Sequence, residues 1–76
     1  MPVTKEELQK LIGQNIRILR ERKHMTAQEL ATICNFEKSN MSRLESGNTN
    51  PTIGTLYKIA QALDVTLEEI VSKRDA

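Results

Sequence analysis

Between Met25 and Gly47 the sequence MTAQELATICNFEKSNMSRLESG leaves the backbone few paths, because it carries the marks of two short helices with a sharp reversal between them. Thr26 followed by Glu29 is the reciprocal signature of a helix start, in which the hydroxyl accepts from the Glu29 N–H and the carboxylate accepts from the Thr26 N–H. Met25 and Leu30 stand where a hydrophobic staple across that start requires them. From there the apolar or small positions run Leu30, Ala31, Cys34, Phe36, Met41 and Leu44, a helical spacing broken once, at Asn35. Asn tolerates left-handed backbone as few residues other than Gly do, so Asn35 can end the first helix and turn the chain. Ala31 faces that turn, and its small side chain lets the second helix cross close by.

The same grammar places the other elements. Thr4 with Glu7 makes another capping box, with Val3 and Leu8 as its staple, and Leu8, Leu11, Ile12, Ile16 and Leu19 form one apolar stripe. A long first helix to about Lys23 is expected, with Gly13 as a weak point worth about 1 kcal/mol against Ala. Thr52, after Pro51, can cap a fourth helix whose inward face is Leu56, Ile59, Ala60 and Leu63; Thr66 with Glu69, stapled by Val65 and Ile70, starts a short fifth. Apolar alternation never persists long enough for a strand, so the expected fold is all-α, a compact five-helix bundle.

Length and composition bound the rest. At 76 residues the chain holds one small core, and a domain of this size buries only about 60% of its unfolded surface. Residues 1–76 are read as a single domain without a linker, residues 1–10 extending the first helix and 72–76 forming a short tail. One Phe, one Tyr and no Trp leave Leu and Ile to build the core. The net charge of +1 does not mark a non-specific nucleic-acid binder, but its distribution is uneven. Arg17 to Arg43 holds six basic and three acidic residues, whereas the chain from Asp64 onward holds four acids against Lys73 and Arg74. Cys34 falls on an apolar position and reads as a small buried core residue. The charged start MPVTKEELQK lacks a signal core and no run approaches a membrane span, so a cytoplasmic protein with no membrane association is expected. His24 has no second ligand at metal spacing, and neither a glycine-rich phosphate loop nor a nucleophile–base pair is present. No metal, no cofactor and no enzymatic activity are expected.

The motif resembles the Cro and phage-repressor class of helix-turn-helix proteins, the XRE-like family of bacterial regulators. The resemblance rests on Leu30-Ala31, Phe36 and Met41, on Ser42-Arg43-Leu44-Glu45-Ser46-Gly47, on Asn50-Pro51-Thr52 and on the run LYKIAQALDV from Leu56 to Val65, and it covers Leu11 to Val71. A bare helix-turn-helix pattern is weakly specific; the ordered continuation into these further elements makes this one strong. It implies a lambda-repressor-like DNA-binding domain acting on double-stranded DNA, its second motif helix entering the major groove.

On that helix Met41 and Leu44 must face inward, which leaves Lys38, Ser39, Ser42 and Arg43 outward with Asn40 at the flank. These are the candidate base contacts, and Arg43 has the length to pair bidentately with guanine O6 and N7. Glu37 can accept from cytosine N4 or cap the helix; the cap is the preferred reading. Phosphate contacts are expected at helix starts, from Thr26, Ala27 and Gln28 and from the loop through Gly47, Asn48, Asn50 and Thr52. Asn48, Thr49 and Asn50 fit an ordinary polar turn equally well. In proteins of this class the position of Ala27 is commonly a Gln that touches phosphate and braces the reading helix; its loss removes a contact, and Gln28 points elsewhere around the helix.

The resemblance further implies a partly buried structural ion pair between Arg20 and Glu45. It also implies a two-fold dimer, for which Tyr57, Val65, Leu67, Ile70 and Val71 exceed what one small core requires; for Tyr57 and Val71, closing the bundle is an equal alternative. The expected function is a sequence-specific transcriptional regulator, a small stand-alone repressor or controller protein that binds a palindromic operator as a homodimer. The alternative is an antitoxin-type module that holds a partner protein and binds DNA secondarily.

Overall fold

The computed structural model describes residues 3–73, and the expectations concerning Arg74 and Asp75 lie outside them. Five helices follow in order: α1 (Lys5–Arg22), α2 (Ala27–Cys34), α3 (Lys38–Ser46), α4 (Ile53–Leu63) and α5 (Leu67–Val71), with no strand among the described residues. Capping boxes open three of them. Thr4, Thr26 and Thr66 each accept from the N–H of Glu7, Glu29 and Glu69, which return the bond to the cap backbone. Thr52 caps α4 through the Thr55 N–H. The Val3 half of the first staple is 54% exposed.

Left-handed residues end α2, α3 and α4. Asn35 has φ 60° and ψ 40°, and the Phe36 N–H reaches back to the Ala31 carbonyl at 2.8 Å, which satisfies a helix-end acceptor. Gly47 at φ 77° and Asp64 at φ 57° do the same for α3 and α4.

Each helix sends at least one apolar side chain to the centre: Ile16, Leu30, Met41, Ile59, Leu63 and Ile70 are all fully buried. Such burial is worth about 1.5–3 kcal/mol per side chain. Ile70, expected to be surplus to one core, is therefore part of it. Around this centre α1 packs on α3 and α5, α2 on α3 and α4, and α4 on α5.

Two polar or small residues inside the α1 stripe explain how α1 meets its neighbours. Gly13, read from propensity as a weak point, is buried, and a Cβ there would lie 2.5 Å from the Leu44 carbonyl oxygen and 2.6 Å from that of Glu45. Only glycine lets the backbones of α1 and α3 touch, so the packing outweighs the propensity penalty. Asn15, 1% exposed, donates from Nδ2 to the Ile70 carbonyl at 2.8 Å and to the Ser72 carbonyl at 2.7 Å. It satisfies orphan acceptors at the end of α5 from inside the bundle.

Candidate nucleic-acid interface

The inner face of α3 is fixed by apolar burial and by one charged pair. Met41 is fully buried and Leu44 nearly so. Beside them Arg20 Nε donates to Glu45 Oε2 at 2.7 Å and Nη2 to Oε1 at 2.9 Å, a two-bond fork between α1 and α3. Arg20 Nη1 also donates to the Met25 carbonyl at 2.8 Å, which ties the turn before α2 to the same guanidinium. The hydrogen bond that Arg20 donates to Glu45 raises the Arg20 pKa above its ordinary value against the opposing pull of burial, so the charge is secure. With 12% and 11% of the two side chains exposed, the pair sits in the regime where removing one partner strands the other.

The outer face differs in kind. Lys38, Ser39, Asn40, Ser42 and Arg43 are all exposed, and none of their side chains bonds to another group among the described residues. On α1, by contrast, exposed Arg17 has a partner, Glu21, at 3.5 Å. Glu37 occupies the cap position of α3 but its side chain makes no capping bond, which corrects the reading of it as the cap. Its carboxylate is one methylene longer than the Asp that favours this position. α3 thus starts with the Lys38 and Ser39 N–H groups open, while Asn40 and Met41 donate to the Glu37 carbonyl.

The flanking phosphate candidates separate by what their groups already do. At α2 the Thr26 N–H donates to Glu29 Oε1 at 2.7 Å and its hydroxyl accepts from Glu29, so the first free amides are those of Ala27 and Gln28. The Ala27 side chain packs against the core, while Gln28 is exposed. The two Thr bonds hold the Glu29 carboxyl below its ordinary pKa, an anion already seated at that helix start. Gly47 is buried under Lys10, and its N–H donates to the Leu44 carbonyl; the Asn48 N–H donates to that of Arg43. These two residues reverse the chain, which leaves the Asn48 and Asn50 side chains outward. Thr52 serves the cap of α4, whose first turn carries no acid and whose Ile53 and Gly54 amides are open. Between α3 and this helix start lies a groove of about 300 Å³ lined by Asn40, Arg43, Thr49, Asn50, Thr52 and Thr55, with Phe36, Leu44 and Pro51 as its apolar members.

An exposed polar helix held over a fixed turn, with open helix starts beside it, is the geometry of a helix-turn-helix. The Helix-turn-helix family model HTH_3 matches residues 16–70. The chain belongs to this XRE-type family. The family and its fold are those of DNA-binding transcription regulators rather than enzymes. The helix-turn-helix chain is 41% identical over 69 residues to y4dJ of Sinorhizobium fredii, named as an HTH-type transcriptional regulator, covering 91% of this chain and 90% of that protein. It is 38% identical over 61 residues to the regulator SlrR of Bacillus subtilis, covering 79% of this chain but only 40% of SlrR. Among solved structures it is similar to the restriction-modification controller protein C.AhdI from Aeromonas hydrophila, with a TM-score of 0.78 and 31% identity over 84% of this chain and 96% of that one.

Away from the helix-turn-helix the dimer candidates divide. Val65 and Leu67 pack against the core, whereas Tyr57 is 53% and Val71 41% exposed. The Tyr57 oxygen accepts from Gln61 Nε2 at 3.0 Å. Cys34 is buried, which pushes its thiol pKa up against the smaller opposing influence of Lys58. Lys58 itself lies 5.7 Å over the Phe36 ring, a cation–π contact that joins α4 to the turn. Gly13 and Asn15 are the positioning residues that reading by pattern missed. Asn15 could have been found, because it interrupts the stripe between Ile12 and Ile16 at a position that faces inward. No helix among the described residues is long and apolar enough to cross a membrane.

Proposed function

We propose that this protein is a sequence-specific DNA-binding regulator that occupies a two-fold symmetric operator as a homodimer and acts by controlling access to a promoter. The observation that carries this reading is the outer face of α3. Five polar side chains with reach to base edges, Lys38, Ser39, Asn40, Ser42 and Arg43, have no bonded partner among the described residues and sit on a helix whose other face is fixed. Arg43 pairs with guanine, and Lys38 and Ser39 at the helix start read the deepest bases. The amides of Ala27, Gln28, Ile53 and Gly54, with the Asn48 and Asn50 side chains, grip phosphate on either side.

One short helix reads few base pairs, so two copies at half-sites about 34 Å apart supply the specificity. The exposed Tyr57 and Val71 form the surface through which α4 and α5 of two chains meet. The likeness to a restriction-modification controller protein supports a regulator of that controlling kind. Selection of bound sites from random duplex DNA, with the mass of the complex measured on the same preparation, tests the reading. A palindrome holding two chains is the expected result; recovery of no enriched sequence would sink it.

A further inference from the structure

Glu37 is the feature this function leaves unused. Residues 25–52 contain three acids: Glu29 lies in the capping box of α2, Glu45 in the fork with Arg20, and Glu37 alone has no partner among the described residues. It is exposed and stands immediately before Lys38 at the start of α3. A carboxylate there neither closes the helix nor pairs with a neighbour, and beside phosphates it is repulsive. We propose that Glu37 is a specificity-determining residue, a base reader that accepts a hydrogen bond from the N4 amino group of a cytosine in the major groove and penalises other sequences.

The chemistry selects the base. An ionised carboxylate only accepts, guanine presents N7 and O6 acceptors and thymine an O4 acceptor and a methyl group, so both are refused. Adenine offers an N6 donor but sets the N7 acceptor beside it, whereas cytosine presents the N4 donor without an acceptor of its own. Residues at the start of a reading helix are those that approach base edges most closely, which places Glu37 within reach of the groove floor. Where no cytosine is present the carboxylate meets no donor, and the misfit discriminates as much as the match attracts. The inference rests on the reading of α3 as the helix that enters the groove.

Site selection from random duplex DNA with the wild-type chain and with Glu37→Ala tests it, the variant first shown to melt as the wild type does. The expected result is one cytosine per half-site whose preference falls about five- to a hundredfold in the variant while the rest of the motif stands. The variant should also bind random DNA more tightly at low salt. A duplex carrying N4-methylcytosine at that position, in which the methyl replaces the groove-facing N–H, should weaken the wild type and leave Glu37→Ala unaffected. An identical motif from both chains, or an equal penalty from the methylated base, overturns the proposal even though the regulator reading stands. A wild-type chain that selects no motif overturns both.

Discussion

On its inner side α3 meets α1 so closely that a single methyl group at Gly13 would collide with backbone oxygens, and the Arg20–Glu45 fork closes the same seam; on its outer side none of the polar side chains is bonded to another group among the described residues. The difference separates two demands on one nine-residue helix. Inward contacts decide where the helix lies, and outward groups are released from any part in that decision. Substitution on one side should therefore act on stability and on the other side on binding, and the contrast can be broken by experiment.

Glu45→Ala should have the largest effect, a loss of about 3–5 kcal/mol, because the Arg20 charge is left without its partner in a nearly closed site. Thermal melting checks this: each kcal/mol moves the midpoint by about 4–8 °C in a domain of this size, and an unchanged midpoint would show that the fork adds nothing. Gly13→Ala comes next, a destabilisation of about 1–3 kcal/mol from overpacking, opposite in sign to the gain of about 1 kcal/mol that helix propensity alone predicts. A stabilised variant would mean that the two backbones can part without penalty.

Arg43→Ala should leave the melting midpoint within the equivalent of about 0.5 kcal/mol, as exposed substitutions do, while specific binding weakens by about 1–3 kcal/mol and preference relaxes at one base. Equal weakening on random DNA would make Arg43 a phosphate contact instead. The smallest effect concerns acid. Bonds from the Thr4 and Thr26 groups hold Glu7 and Glu29 below the ordinary carboxyl pKa of 4.5, so their contribution is complete above that value and is lost as pH falls through the lowered folded values. Amide exchange should show the starts of α1 and α2 opening first on acidification, and the start of α3, which has no such bond, should not follow that titration.

The comparison also explains which parts of the molecule could be read from the residues alone. Capping boxes and left-handed turns join residues within five positions of each other, so Thr26 with Glu29, Asn35 and the α4 stripe from Leu56 to Leu63 were legible as local pattern. Gly13 was misread because its reason lies 31 positions away, in the carbonyl of Leu44, and propensity knows nothing of that distance. Asn15 was passed over for the same cause, its acceptors being 55 and 57 residues distant. Glu37 holds the cap position of α3 as its place in the sequence suggests, but a polar residue there ordinarily caps with its side chain, and only geometry shows that this one makes no capping bond. Candidate readers on α3 followed from elimination, once Met41 and Leu44 were given to the core.

Gly47 adds something to this arrangement. A Cβ there would lie 2.8 Å from Lys10 Cα, and the oxygens of Leu44 and Glu45 abut Gly13, so both backbone contacts fall at the C-terminal end of α3. The helix is a lever, held by backbone contact at its root and by the packed turn at Phe36 near the tip that carries Glu37, Lys38 and Ser39. Over a length of about 13 Å, a tilt of about 5° at the root swings the tip by about 1 Å. Substitutions at residues 10, 13 or 47, which approach no base, would then alter which sequence is preferred as well as how stable the chain is.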